Sequence, residues 1–225
     1  MRALSTALPS RQPSILVADD STVAREGLAA IINRDLGHKV CGPAANEEAL
    51  RDLMEEHQPD LLVIEPFLGH GDGIFLIKQF VARFPNTRIL AVSRQPEEIY
   101  AERALRAGAS GYWMKTGAQA ELIRAINTIL AGELYVSSRI ALRAVYKVVN
   151  GPATQCKAPN LTDRELHVFA LIGAGLGTTR IAHELGISPK TVETYHEHIK
   201  LKMGYGNAGA LHQGAREWFG RTNHK

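Results

Sequence analysis

The 225-residue sequence contains only two cysteines, Cys41 and Cys156. They are too few and too far apart for a disulfide framework or a thiolate metal cluster, so both are read as reduced thiols. No run approaches the ~18 apolar residues that span a bilayer. Residues 1–13 also lack the continuous apolar core of a signal peptide, so a frayed tail is expected there, on a cytoplasmic protein with no membrane partner. A nucleophile elbow, a phosphate-binding glycine loop and a metalloprotease motif are all missing, and no independent enzyme is expected. Acidic residues are absent from positions 134–160, which carry four Lys and Arg. Residues 1–133 hold 14 basic against 17 acidic residues, and residues 161–225 hold 8 against 6. The charge therefore divides the chain into an acidic part, a basic connector and a mildly basic tail, with any polyanion partner expected towards the tail.

Short aliphatic runs alternate five times with helical patterns between residues 14 and 131. The runs are Ser14–Ala18, Lys39–Cys41, Leu61–Ile64, Arg88–Val92 and Gly111–Met114. Helices are expected over Val23–Asp35, Glu47–Gln58, Gly73–Phe84, Pro96–Ala107 and Gly117–Ala131, each with apolar residues three and four apart. Strands without polar alternation, separated by 10–15-residue helices, predict a doubly wound α/β domain built on a five-stranded parallel sheet. Residues 134–160 read as a linker holding a short helix between Gly132 and Gly151-Pro152. The tail reads as all-α. Thr162 and Glu165 form a capping-box pair, and Ser188-Pro189 supplies an N-cap and a first-turn proline after the turn Gly186-Ile187-Ser188. Two helices so joined fit a helix-turn-helix unit. The expected boundaries are 13–133, 134–160 and 161–222.

Ligand sites in such sheets lie at the carboxyl ends of the strands. Asp19 and Asp20 end the first strand, Glu65 the third, Ser93 the fourth and Lys115 the fifth. Carboxylates this close repel unless a cation or a lysine neutralises them, and an oxygen-only set suits Mg²⁺. The acidic pair, an acid after the third strand followed by Asp72-Gly73, then Ser93, and Tyr112 three residues before Lys115, together resemble the flavodoxin-like receiver domain of bacterial two-component response regulators. The resemblance implies that Asp19, Asp20 and the third-strand acid bind Mg²⁺ and that this acid accepts a phosphoryl group from a histidine kinase. It further implies that Ser93 is the switch hydroxyl, Tyr112 the switch aromatic and Lys115 the phosphate-binding lysine.

One departure outweighs the matches, because the acceptor position carries Glu65 and the family has aspartate there. The loop's usual proline is missing as well, with Gly69 in its place and Pro66 directly after the glutamate. An extra methylene moves the carboxylate by about 1.5 Å, and in-line phosphoryl transfer tolerates little misplacement. The same methylene carries the negative charge towards the place of the phosphoryl oxygens, near Ser93 and Lys115. The expectation is a receiver that ordinary phosphorylation does not switch. Glu65 then either locks it towards an active-like state or leaves it as an interaction module.

Residues 161–204 resemble the DNA-binding domain of LuxR-type regulators, and with the receiver they resemble the NarL/FixJ family. The residues that carry this are Leu161-Thr-Asp-Arg-Glu165, Gly175-Leu-Gly177, Ile181-Ala182, Leu185 through Glu193, and Val192, Ile199 and Met203-Gly204. The resemblance implies a double-stranded DNA partner, a homodimer on two half-sites and contact with RNA polymerase. On the helix from Pro189, Val192, Tyr195, Ile199 and Met203 recur on one face and are expected to pack. Lys190, Thr191, Glu193, Thr194, Glu197 and Lys200 remain to face DNA, where glutamate accepts from cytosine N4. Thr178, Thr179, Arg180 and Lys202 join Lys190, Thr191 and Lys200 as candidate phosphate contacts. Family members often carry lysine at positions 193 and 197 and glutamate at 180, so a different sequence is expected to be read here. That the two glutamates are solvated, or pair with Lys200 and His196, is the plain alternative for them. A phosphorylation-controlled regulator using Glu65 or another acid, a Mg²⁺-dependent phosphotransfer protein and a protein-binding helix-turn-helix are the remaining functional alternatives.

Overall fold

A computed structural model describes residues 12–68, 73–150 and 160–223. Strands β1 (Ser14–Ala18), β2 (Lys39–Ala44), β3 (Leu61–Ile64), β4 (Arg88–Ser93) and β5 (Gly111–Met114) form one parallel sheet in the order β2-β1-β3-β4-β5. In β1, β3, β4 and β5 the side chains are buried on both faces because helices cover both, which is why these runs lack polar alternation, whereas β2 keeps Lys39 and Pro43 exposed. The covering helices are α1 (Thr22–Asp35), α2 (Glu47–His57), α3 (Gly73–Arg83), α4 (Glu97–Arg106) and α5 (Gln119–Leu130). β2 runs three residues beyond the expected run, through Gly42-Pro43. It is an edge strand, where a proline costs no ladder bond on the open side. Gly73 opens α3 directly against the Pro66 backbone, and a Cβ there would collide with the Pro66 carbonyl. Residues 69–72, with Gly69 and Asp72 of the receiver pattern, lie outside the described residues.

The expected linker is partly built into the first domain. Tyr135 is buried, its amide donates to the Ser110 carbonyl at 2.9 Å, and its carbonyl accepts from Tyr112 N at 3.3 Å. Helix α6 (Ser138–Asn150) then packs beside α4. Ser137 donates to Glu97, and Arg139 pairs with Glu98 at 2.6 Å.

The tail folds as α7 (Asp163–Gly173), α8 (Thr178–Leu185), α9 (Pro189–Met203) and α10 (Ala208–Asn223). Thr162 and Glu165 make both bonds of the capping box. Gly186 takes the left-handed conformation that ends α8, and Ser188 caps α9. Leu166, Phe169, Ile172, Ile181, Leu185, Val192, Ile199 and Leu211 form the core between these helices, while Trp218 lies beside Phe169. Among the described residues no helix is long and apolar enough to cross a membrane.

Candidate functional site

Three strand ends set the rim. Asp19 follows β1, Glu65 follows β3, and Ser93 closes β4, while Lys115 follows β5. Because β1, β3, β4 and β5 are adjacent and parallel, these residues converge on one edge of the sheet. Asp19, Glu65 and Ser93 are all buried.

Glu65 is held by three donors. Ser93 Oγ donates to its Oε1 at 2.8 Å, the Phe67 amide reaches the same oxygen at 3.3 Å, and Lys115 Nζ lies 2.9 Å from Oε2. The ammonium also sits 2.5 Å from Asp19 Oδ2, so one lysine bridges two buried carboxylates. Burial raises the pKa of Glu65 above the usual carboxylate range, against the pull of Lys115, Ser93 and the Phe67 amide. Burial would lower Lys115, but Glu65 and Asp19 outweigh it and hold the ammonium above its ordinary value. The ionised pair thus persists because each charge has a partner in a site that admits little water.

The carboxylate set expected for Mg²⁺ is not gathered. Asp20 is exposed, and among the described residues no three His, Cys, Asp or Glu side chains come together to hold a metal ion. The physical reason is the lysine: its ammonium already occupies the space between Asp19 and Glu65 that a cation would need. As arranged, the residues do not fit the metal.

From this rim the structure continues outward to the helix-turn-helix unit. Tyr112 is turned inward and buried, and its hydroxyl donates to the Gln95 carbonyl at 2.8 Å. The Gln95 amide reaches Ser93 Oγ at 3.3 Å, and its side-chain Nε2 lies 3.2 Å from His167 Nε2 on α7. The His167 ring also packs on Phe67, with centroids 4.2 Å apart, and Phe67 meets Tyr100 edge-on at 5.3 Å. Arg103 on α4 pairs with Asp163 at 2.5 Å and donates to the Leu161 carbonyl at 3.2 Å. Both neighbours of Glu65 and Ser93 in the loops, Phe67 and Gln95, therefore touch one histidine of the second domain.

Sequence reasoning missed this junction. The buried run Arg164 through Phe169 on α7 does not give it away, because Arg164 and Glu165 are engaged within their own domain, by the Leu185 carbonyl and by Lys202.

His167 gives the junction a pH dependence. Burial, aided by nearby Arg164, lowers its pKa to about 3. A separated His167 takes a proton near pH 6.5, which the docked one refuses until about 3, so docking is full above pH 6.5 and is lost as pH falls. The loss is at most about tenfold in the docking constant per pH unit. Small-angle scattering should show the wild type expanding between pH 7 and pH 5. His167→Phe, which keeps the ring against Phe67, should not; equal expansion in both would refute this role.

On the side expected to face DNA, Lys190, Glu193, Thr194 and Glu197 are exposed on α9, and Thr179 and Arg180 are exposed on α8. Thr178, Thr191 and Lys200 are partly covered. Two of these expected contacts have partners of their own. Lys200 pairs with Glu197 at 2.9 Å, and Lys202 pairs with the capping-box Glu165 at 2.6 Å. Tyr195 and Met203 pack against the core.

Comparison with known proteins agrees with this two-part layout. Residues 15–127 match the response regulator receiver domain, and residues 159–213 match the bacterial regulatory proteins of the luxR family. The chain is 32% identical over 195 residues to the oxygen regulatory protein NreC of Staphylococcus carnosus, covering 84% of this chain and 90% of that one. A two-component response regulator of the LuxR family from Aurantimonas sp. is 33% identical, covering 61% of this chain and 99% of that chain, with a TM-score of 0.57. RcsB from Salmonella enterica serovar Typhimurium, solved on the promoter rprA in the presence of the phosphomimetic BeF3−, is 23% identical. It covers 90% of this chain and 98% of that chain with a TM-score of 0.60, and shows the same fold.

Proposed function

Because the chain belongs to the response regulators that join a receiver domain to a LuxR-type DNA-binding domain, we propose that it is a transcription regulator whose receiver is set by Glu65 and not by phosphoryl transfer. One observation carries this reading. The Glu65 carboxylate lies between Ser93 Oγ and Lys115 Nζ, the two groups that the family uses to hold phosphoryl oxygens. A carboxylate at that place satisfies the same donors permanently. The inward Tyr112 and the exposed outer face of α9 support a competent resting state, since the recognition surface faces solvent while α7 is docked.

In this reading Mg²⁺ has no resident role, and a histidine kinase is not needed to set the switch. Other regulatory proteins and RNA polymerase remain the natural partners of a cytoplasmic regulator of this type. The receiver spans 13–133, the connector 134–160 and the DNA-binding unit 161–222, and two copies engage two half-sites. Lys190, Thr191, Thr178, Thr179 and Arg180 position the unit on phosphates. Glu193 and Thr194 face the base edges, with Glu197 beside them, and Lys200 and Lys202 steer mainly through charge while tied to Glu197 and Glu165.

Selection of genomic fragments by the unmodified full chain tests the reading. Without any phosphodonor, one motif with two half-sites should be enriched. Affinity should fall steeply with salt, since phosphate contacts supply most of it. Glu193→Ala should relax the preference at one base pair by a factor of about ten, in line with ~1–3 kcal/mol per base contact. Enrichment of no sequence at low salt would remove DNA reading from the proposal.

A further inference from the structure

Two polar atoms are shut into the junction between the domains without a hydrogen bond. Tyr100 is wholly buried and His167 is 6% exposed, and among the described residues neither the Tyr100 hydroxyl nor His167 Nδ1 has a partner. Beside them lies a set that is satisfied. Arg103 reaches Asp163 Oδ1 and donates to the Leu161 carbonyl through both of its terminal nitrogens. Buried polar groups of folded proteins are nearly all hydrogen-bonded, so two exceptions at one contact call for a reason.

Both exceptions follow from what their neighbours already do. Tyr100 lies one turn before Arg103 on α4, and the charges felt at its hydroxyl are those of Arg103 and Asp163. The carboxylate that could accept from it is taken by the guanidinium, and the Tyr100 ring meets Phe67 edge-on. His167 uses Nε2 on the Gln95 amide and lays its ring on Phe67. With Nε2 accepting from that amide, the ring proton sits on Nδ1, where it meets no acceptor among the described residues. With the amide turned over, Nδ1 is an acceptor without a donor, so it is orphaned either way.

Separation of the domains returns water to both atoms. α7 carries His167 away, and removal of Leu161 and Asp163 uncovers the Arg103 end of α4, where the Tyr100 hydroxyl lies. A buried group without a partner forfeits its hydration in full, whereas a bond that is made returns only a modest net gain. The contact is also narrow, since among the described residues it is made by side chains and no helix of the receiver packs lengthwise on α7. Domains joined in this way move relative to one another unless the contact is large and apolar. We infer that Tyr100 and His167 form a built-in release, two groups that keep the docked arrangement weaker than its shape allows, so that the DNA-binding unit can leave the receiver. The release stands on the contacts of α4 and α7 and holds whether or not Glu65 takes the place of a phosphoryl group.

Single-molecule energy transfer on the full chain tests the release. Dyes are placed at Val23→Cys and Leu201→Cys, both exposed and one on each domain, in a background with Cys41 and Cys156 replaced by serine. Open and docked molecules are counted at pH 5.5, where protonation of His167 already weakens docking. Tyr100→Phe removes an orphaned hydroxyl that only the open form can hydrate, so it should lower the open-to-docked ratio by about tenfold. Tyr112→Phe removes a hydroxyl that is bonded to the Gln95 carbonyl, so it should raise that ratio or leave it as in wild type. A ratio in Tyr100→Phe equal to or above that of wild type overturns the release, and so does an equal fall in Tyr112→Phe. A wild type that stays wholly docked at pH 5.5 overturns it as well, since nothing then leaves.

Discussion

Lys115→Met is expected to lower the stability of the receiver by about 3–5 kcal/mol at neutral pH, the usual cost of stranding a buried charge. The methionine fills similar volume but leaves Asp19 and Glu65, both buried and now without their shared cation. At ~2–4 °C per kcal/mol for a chain of this size, the receiver melting temperature should drop by roughly 10 °C. The pH dependence follows from the same charges. Without the ammonium, which pulls the Glu65 pKa down, burial raises it further above that of the unfolded chain, so Glu65 takes up a proton. Stability so obtained is present at low pH and lost as pH rises through the folded pKa. The deficit of the variant relative to wild type should therefore be small near pH 5 and large near pH 8, measured by calorimetry at the two values. An equal deficit at both would mean that Lys115 is not what holds the two carboxylates.

Glu65→Asp is expected to turn a fixed switch into a conditional one. Shortening the side chain withdraws the carboxylate by about 1.5 Å. It then no longer reaches Ser93 Oγ, whose bond to Glu65 is 2.8 Å, and the Gln95 loop loses an anchor shared with Tyr112 and His167. Coupling between such sites is commonly worth ~5–150-fold in affinity, so DNA binding by the unmodified variant should fall by about tenfold or more. Acetyl phosphate with Mg²⁺ should restore it, because the shorter acid leaves room for a phosphoryl group between Ser93 and Lys115. A titration of labelled DNA with each protein measures this directly. A variant that binds as tightly as wild type without phosphodonor would show that Glu65 does not set the state of the second domain.

The convergence of Asp19, Glu65, Ser93 and Lys115 was legible in the sequence because parallel strands bring their carboxyl ends to one edge once the strand order is known. The capping box at Thr162 and the cap at Ser188 were legible for a different reason, since each depends only on residues three apart. The β2 extension was not, because Gly42-Pro43 reads as a turn unless the strand is known to lie at the edge. Nor could the junction be read. Phe67 comes from one stretch of the chain and Gln95, Tyr100 and Arg103 from another, and only the docked shape brings them to His167 and Asp163. The Lys200–Glu197 pair was legible as the plain alternative, being three residues apart on one helix, whereas the Lys202–Glu165 pair, which joins two helices, was not.

The central claim is that Glu65 replaces the phosphoryl group, and it is tested most directly on the unaltered full chain. Its affinity for the selected DNA should be measured with and without acetyl phosphate and Mg²⁺, with the intact mass taken on the same sample. The prediction is tight binding in both conditions and no phosphoryl adduct. Weak binding that becomes tight only as a stoichiometric adduct forms, with both changes absent in Glu65→Gln, would contradict it.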